Sequence, residues 1–224
     1  MHTSSRNNDN LQYTPVVAVD LDGVIFDFVS WFEKHLDNPP VINHYTYSLE
    51  KRYDIDGERV KEVFESNPWN DMDVFHDAQK AIDAIRFRIK SIVGVRPEIV
   101  ILTDTIKSKR QDRIEALNTA GITFDRIVFT DGDKREWIRK EQPSILFDDR
   151  PDYVQCAIKN LSIGVLIDRY GIFENWKNKN RNMVYAESLL KGVDRCTEII
   201  SLALNRLSMT TPNDEFTRII CNAT

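Results

Sequence analysis

The chain has 224 residues, of which 42% are hydrophobic and 29% are charged, and these fractions are typical of a globular protein rather than a disordered one. Its length suits one sizeable α/β domain with a small insertion. The net charge of −5 argues against a protein whose main role is to grip a nucleic-acid backbone.

The cysteines and the N-terminus indicate a compartment. Cys156, Cys196 and Cys221 are far apart and form no CxxC pair, so we expect free thiols in a reducing environment and no zinc site. The first twelve residues are polar and lack the apolar core of a secretory signal. No apolar run approaches the ~18 residues of a membrane span. The expected location is therefore cytoplasmic, with no membrane partner.

Five short apolar runs predict buried strands. They are rich in β-branched residues and lack polar alternation, as in strands covered on both faces of a parallel sheet. The runs comprise residues 15–19, 99–102, 127–129, 145–147 and 165–167.

Helical patterns alternate with these runs. The clearest has an apolar face at spacings of four, three and four residues, formed by Ala78, Ile82, Ile85 and Ile89. Further helices are predicted from Ile106, Ile114 and Leu117, from residues 136–140 and from residues 152–160. This alternation predicts an α/β fold with a doubly wound, mostly parallel sheet and right-handed crossovers.

About 80 residues separate the first two predicted strands, more than one crossover helix needs. We therefore expect a helical cap over residues 30–72, inserted into a core formed by residues 14–29 and 73–181. Residues 1–13 are expected to be a mobile polar tail. Residues 182–224 are expected to be a helical extension that packs on the sheet edge or on a partner, and the sequence leaves a homodimer open.

Aromatic residues are concentrated around the predicted cap. Ten of the 22 aromatic side chains lie between residues 26 and 75. This concentration favours either a small aromatic core or a surface that stacks on a planar ligand.

Acidic or hydroxyl side chains follow every predicted strand. They are Asp20 and Asp22, then Thr103, Asp104 and Thr105, then Thr130 and Asp131, then Asp148 and Asp149, and finally Asp168. Ligands of open α/β sheets bind beyond the carboxyl ends of the strands, so these side chains are expected at one rim. Helix capping explains each residue singly, but it does not explain two pairs of carboxylates.

Converging carboxylates need a counter-charge. Two unit charges ~4 Å apart interact by about 4 kcal/mol at an effective dielectric constant of 20, so repulsion must be relieved by a cation, a lysine or raised pKa values. An all-oxygen site suits a hard ion, and Mg²⁺ is the usual choice where a phosphate completes its coordination. The four histidines show no spacing typical of metal ligands.

Four motifs, in this order, resemble those of the haloacid dehalogenase-like phosphohydrolases. They are DLDGV at residues 20–24, a strand that ends in Thr103, then Lys134, and the pair Asp148-Asp149. The match covers most of residues 15–170. Within that superfamily the chain resembles the 5′(3′)-deoxyribonucleotidases, on Phe28 eight residues after Asp20, on Phe64-Glu65-Ser66, and on the ILTDTIK, GDK and DDRPD stretches.

The resemblance implies a Mg²⁺-dependent phosphatase that hydrolyses nucleoside monophosphates, with deoxyribonucleoside 5′-monophosphates as expected substrates, through an aspartyl-phosphate. It implies Asp20 as the nucleophile and Asp22 as the acid and then the base. The implied metal ligands are Asp20, the backbone carbonyl of Asp22, Asp148 and, in an assisting role, Asp149. The implied phosphate-binding groups are Thr103, the backbone from Asp104 onward and Lys134, and the implied base pocket comprises Phe28, Phe64 and Trp69.

The sequence departs from the nucleotidase pattern in two places, and both bear on substrate choice. Asp104 follows Thr103 where those enzymes usually carry Ser or Thr, and Gly132 stands where they often carry Arg. Two alternatives stay open: a polynucleotide 3′-phosphatase, which the basic stretches at residues 107–110 and 177–181 would serve, and a catalytically inactive relative that binds a nucleotide or a partner protein. The net acidity disfavours the first, and the intact Asp20 and Asp22 disfavour the second.

Other enzyme classes are excluded by their missing motifs. The chain has no GxGxxG after a strand and no GxSxG elbow, which argues against nicotinamide-binding enzymes and serine hydrolases. A phospho-receiver domain would need its acceptor Asp after the third strand, and it has no place for the long insertion.

Overall fold

The computed structural model describes residues 13–36, 40–43, 46–173 and 182–210. Fourteen helices and strands follow one another in these ranges: β1 (Val16–Val19), α1 (Phe28–Lys34), α2 (Leu49–Tyr53), α3 (Gly57–Ser66), α4 (Ala78–Val93), β2 (Glu98–Asp104), α5 (Arg110–Thr119), β3 (Arg126–Thr130), α6 (Arg135–Glu141), β4 (Ile145–Asp148), α7 (Pro151–Lys159), β5 (Ile163–Ile167), β6 (Val184–Ala186) and α8 (Leu189–Thr210). The predicted polar tail (except Tyr13), the basic stretch at 177–181 and the last fourteen residues of the chain lie outside the described residues.

The strands form one parallel sheet in the order β3-β2-β1-β4-β5-β6. The chain therefore winds outward from β1 through β2 to β3, and then resumes on the other side of β1 with β4. This is a doubly wound arrangement with its switch point between β1 and β4. The predicted fold class is confirmed, and all five predicted strands are present.

Both faces of the sheet are covered, which explains the absence of polar alternation in its strands. Val17 and Val19 of β1 pack in the same cluster as residues of α4 and α8. Ala18, which points to the opposite face, packs in a second cluster with residues of α6 and α7.

The segment between β1 and α4 contains α1, α2 and α3. Each of these helices begins at an acidic or hydroxyl residue, respectively Asp27, Ser48 and Asp56, whose side chain accepts a hydrogen bond from the backbone N–H three residues later. The buried faces of α1 and α3 join the same core cluster as α4. α1 begins at Phe28, two residues before the predicted boundary of the cap.

Residues 182–210 contain the expected helix, α8, and also a strand, β6, that the sequence did not indicate. β6 is the edge strand of the sheet, and three residues are too few to display a strand period. α8 buries Leu189, Val193 and Cys196 against the sheet and α4. Ile106, predicted to lie in a helix, precedes α5 and is exposed. Among the described residues, no helix combines the length and apolar composition needed to cross a bilayer.

We expect Gly164→Ala to destabilise the fold because β5 and α7 pack closely at Gly164. A Cβ there would lie 2.7 Å from Cγ1 of Ile158 and 2.8 Å from the backbone oxygen of Val154. Since backbone atoms yield little, the free energy of unfolding should fall by about 1–3 kcal/mol. Gly57→Ala is the control, because its Cβ would meet nothing nearer than 4.0 Å. Equal urea midpoints for the two variants would contradict the expected packing.

Candidate active site

Asp20 and Asp148 follow the two strands that flank the switch point. The register pairs Val19 of β1 with Phe147 of β4, and the backbone N–H of Asp20 donates to the oxygen of Phe147 at 2.9 Å. The two aspartates therefore lie side by side. One carboxylate oxygen each from Asp20, Asp148 and Asp149 fall within 4.8 Å of one another, and all three residues are buried.

Lys134 joins two of these carboxylates. It lies in the turn between β3 and α6, and its Nζ is 2.7 Å from Oδ1 of Asp20 and 2.8 Å from Oδ2 of Asp148. Only 2% of Lys134 is exposed. Although burial alone would lower the pKa of Lys134, the charges of Asp148 and Asp20 outweigh this and raise it. The lysine is therefore a fixed positive charge between the two strand ends.

One lysine does not neutralise three carboxylates. Burial raises the pKa of Asp20 to about 7, with Lys134 opposing the shift and Asp148 and Asp22 adding to it. Burial, followed by the charges of Asp20 and Asp148, also raises the pKa of Asp149 well above its usual value. A divalent cation held by these oxygens would relieve the same repulsion, and a set of oxygen donors only fits Mg²⁺.

Gly23 makes room for this cluster. Its φ of +75° is one that side-chain-bearing residues rarely adopt. A Cβ there would lie 2.3 Å from Oδ2 of Asp149. The glycine of the DLDG sequence is thus required by both the turn and the adjacent carboxylate.

The two residues predicted to bind phosphate at the end of β2 differ in their surroundings. Thr103 is fully buried, and its Oγ1 lies 3.0 Å from Oγ1 of Thr105. Oδ1 of Asp104 accepts the N–H of Gly132 at 2.8 Å. The unusual Asp104 therefore ties the end of β2 to the turn that carries Lys134.

A cavity of about 350 Å³ opens beside the carboxylates. Its polar lining includes Asp20, Asp22, Asp104, Lys134 and Asp149, and its aromatic lining includes Phe28, Phe64 and Trp69. The ring centroids of Phe28 and Phe64 are 5.9 Å apart, and those of Phe64 and Trp69 are 5.6 Å apart. The cavity thus places an acidic rim and an aromatic wall around one space, while Thr103 and Asp148 are fully buried next to it.

Three cavity residues were missed by the sequence analysis. Tyr47 donates from its hydroxyl to Oδ1 of Asp149 at 3.4 Å, and Arg150 stacks its guanidinium over the Tyr47 ring at 5.5 Å. Tyr170 donates to Asp27 at 2.8 Å. Tyr47 comes from a segment without periodic pattern, so only the adjacency of Arg150 to the predicted acidic pair offered a signal.

A fourth missed residue, Arg113, forms an ion pair with Asp22. Arg113 lies on the buried face of α5 together with Ala116 and Leu117. An arginine at this helical spacing from two apolar residues was the available signal.

The remaining strand-end acids anchor loops instead of joining the site. Asp168 accepts the N–H groups of Ile172 and Phe173 at 2.8 and 2.9 Å. Asp131 pairs with Arg110 at 2.8 Å. For these two positions, local structural contacts account for the carboxylate.

No protein-family model and no curated protein matches the sequence. Solved structures match its fold. A haloacid dehalogenase-like family hydrolase from Xanthomonas campestris has a TM-score of 0.52 and 11% identity, over 86% of this chain and 98% of that one. The chain has the fold of the haloacid dehalogenase-like hydrolases.

Two further structures agree. A dehalogenase with an intermediate complex has a TM-score of 0.51 and 13% identity, over 79% of this chain and 94% of that one. A haloacid dehalogenase-like hydrolase from Burkholderia xenovorans has a TM-score of 0.50 and 14% identity, over 83% of this chain and 98% of that one. At these identities the similarity establishes the fold alone.

We expect Mg²⁺ binding to strengthen as the pH rises, because Mg²⁺ must displace protons from Asp20 and Asp149. At pH values below about 7, the pKa of Asp20, the affinity for Mg²⁺ should rise by up to about tenfold per pH unit for each proton released. Isothermal titration calorimetry between about pH 5.5 and 8 measures this directly, and Asp149→Asn should weaken binding.

The metal-free protein provides the matching control. A buried carboxyl with a raised pKa favours the fold in its protonated form, so stability should fall as the pH rises through about 7. Added Mg²⁺ should reverse that loss. A melting temperature that does not respond to Mg²⁺ at any pH would contradict a metal site here.

Proposed function

We propose that the protein is a Mg²⁺-dependent phosphatase of the haloacid dehalogenase-like superfamily that hydrolyses nucleoside monophosphates, deoxyribonucleoside 5′-monophosphates foremost. The observation that carries this proposal is the pairing of Asp20 with the buried Lys134 on the wall of a cavity that also presents aromatic rings. The hydrolase fold of the structural neighbours supports it.

In this reaction a carboxylate oxygen of Asp20 attacks phosphorus, and the bond to the ester oxygen breaks. Asp22 gives its proton to the departing oxygen. A water then attacks phosphorus and loses its proton to Asp22, which releases inorganic phosphate and restores Asp20. Asp20 and Asp22 are the two acids of the DLDG segment that line the cavity.

Lys134 prepares Asp20 for this role. Lys134, fixed against Asp20 and Asp148, favours the ionised nucleophile and offsets the charge of the transferring phosphoryl group. Asp20, Asp148, Asp149 and the backbone carbonyl of Asp22 would hold Mg²⁺, which supplies charge neutralisation for the phosphoryl oxygens when bound. Thr103 and the backbone N–H groups from Asp104 onward would bind those oxygens.

The aromatic wall supports a nucleotide as the substrate. Phe28, Phe64 and Trp69 offer faces on which a base can stack. A volume of about 350 Å³ lies at the small end of the range for ligand pockets. In this proposal residues 30–72 act as the cap, which contributes Phe64 and Trp69, while the core contributes Phe28.

The basic stretch at residues 107–110 gives little support to a polymeric substrate. Lys109 donates to the backbone oxygen of Asn67 at 2.9 Å, and Arg110 pairs with Asp131. Two of its three cations are thus engaged within the protein. A mononucleotide is the substrate that the cavity favours.

Asp20→Asn tests the nucleophile. A carboxamide cannot form the acyl-phosphate, so phosphate release should fall by about a thousandfold or more while the circular dichroism spectrum is retained. The assay is a phosphate-release screen across nucleoside monophosphates, with and without Mg²⁺. Asp131→Asn, another exchange at a strand end but outside the cavity, should keep near-normal activity. Substantial turnover by Asp20→Asn would refute the assignment.

Phe28→Ala tests the base pocket. Loss of stacking should raise KM for a nucleoside monophosphate by about tenfold and affect ribose 5-phosphate, which has no base, much less. Phe87→Ala is the matched control, since Phe87 is 73% exposed on α4. Equal losses on both substrates would show that Phe28 serves only packing.

A further inference from the structure

Asp22, the proposed acid and base, is held by an arginine from a distant helix. Nη2 of Arg113 in α5 donates to Oδ1 of Asp22. The side chain of Arg113 is completely buried, whereas that of Asp22 is 18% exposed and lines the cavity. The ion pair therefore runs from the protein interior to the cavity surface.

The other neighbours of Arg113 do not compensate its charge. Nη1 lies 3.0 Å from the thioether sulfur of Met72. The guanidinium lies 4.7 Å from the ring centroid of Trp69 and 5.3 Å from that of Phe26. Its Nε is buried and has no hydrogen-bond partner. Within the part of the chain that the structure describes, Asp22 is the one carboxylate paired with Arg113.

Folding alone does not call for this buried ion pair. Replacing a buried ion pair by apolar residues is often neutral or stabilising, and α5 already has an apolar face at Ala116 and Leu117. A leucine at position 113 would extend that face without an orphaned Nε. The arginine therefore requires an explanation other than stability.

We propose that Arg113 is a positioning residue for Asp22, and this proposal rests on the proposed phosphatase function. The planar guanidinium, in contact with the rings of Trp69 and Phe26, holds Oδ1 of Asp22. Oδ2 is then the oxygen that carries the proton given to the ester oxygen and later accepts the proton of water. Because Trp69 also lines the cavity, the aromatic wall and Asp22 share one support.

The test is the dependence of kcat/KM on the leaving group in Arg113→Met and Arg113→Lys. A good leaving group such as 4-nitrophenolate departs without a proton, whereas phenolate or a nucleoside needs one from Asp22. Arg113→Met should therefore lose at least about tenfold more activity on phenyl phosphate and nucleotides than on 4-nitrophenyl phosphate. Arg113→Lys should recover part of the difference.

Arg110→Met is the matched control, because Arg110 also lies in α5, pairs with an aspartate and lies over an aromatic ring, that of Phe129. It should leave the leaving-group dependence unchanged. An equal loss on all monoesters in Arg113→Met, or no rescue by Arg113→Lys, would overturn the positioning role and leave a structural one.

A second measurement separates this proposal from the proposed function. Asp22→Asn leaves the buried guanidinium without a counter-charge, so the double variant Asp22→Asn/Arg113→Met should melt at a higher temperature than Asp22→Asn alone. If the wild type hydrolyses no monoester, the phosphatase proposal fails, although this coupling can still be seen. If the double variant melts at or below the temperature of Asp22→Asn, the ion pair itself is refuted.

Discussion

The site depends on one electrostatic constraint, which is that the carboxylates at the ends of β1 and β4 share a single buried ammonium group. Neighbouring strands lie about 4.8 Å apart, so the register of β1 on β4 forces Asp20 and Asp148 together. Lys134 bridges them at 2.7 and 2.8 Å. Two neighbouring residues support this arrangement. Asp104 holds the turn that carries the lysine, and Gly23 leaves space for Asp149.

Two buried cations, Lys134 and Arg113, lie at the site where simple packing would favour apolar side chains. Lys134 pairs with two carboxylates and Arg113 with one, and both lie over aromatic rings with almost no solvent contact. Apolar side chains would fill these positions at lower desolvation cost. Such local conflicts with the rules of packing are expected where function rather than stability determines the residue.

The sequence alone predicted those features whose positions are set by the backbone. Runs of apolar residues predicted the strands, and strand ends predicted the acidic rim, because parallel strands have a fixed spacing and polarity. β6 was missed because three residues carry no period, and Tyr47 because it lies in a long connection. Arg113 was missed because its partner, Asp22, is 91 residues away, and only tertiary packing brings the two together.

This contrast explains why the reaction type is easier to infer than the substrate. The acidic rim follows from strand register. Two rings of the aromatic wall, Phe64 and Trp69, depend instead on how residues 57–72 pack against the rest of the protein. The start of α5 joins the two regions: Lys109 donates to the oxygen of Asn67, Asp112 accepts the N–H of Trp69, and Arg113 contacts both Trp69 and Asp22. Helix α5 thus contacts both the aromatic wall and Asp22, so in the proposed function one helix supports both the base pocket and the acid.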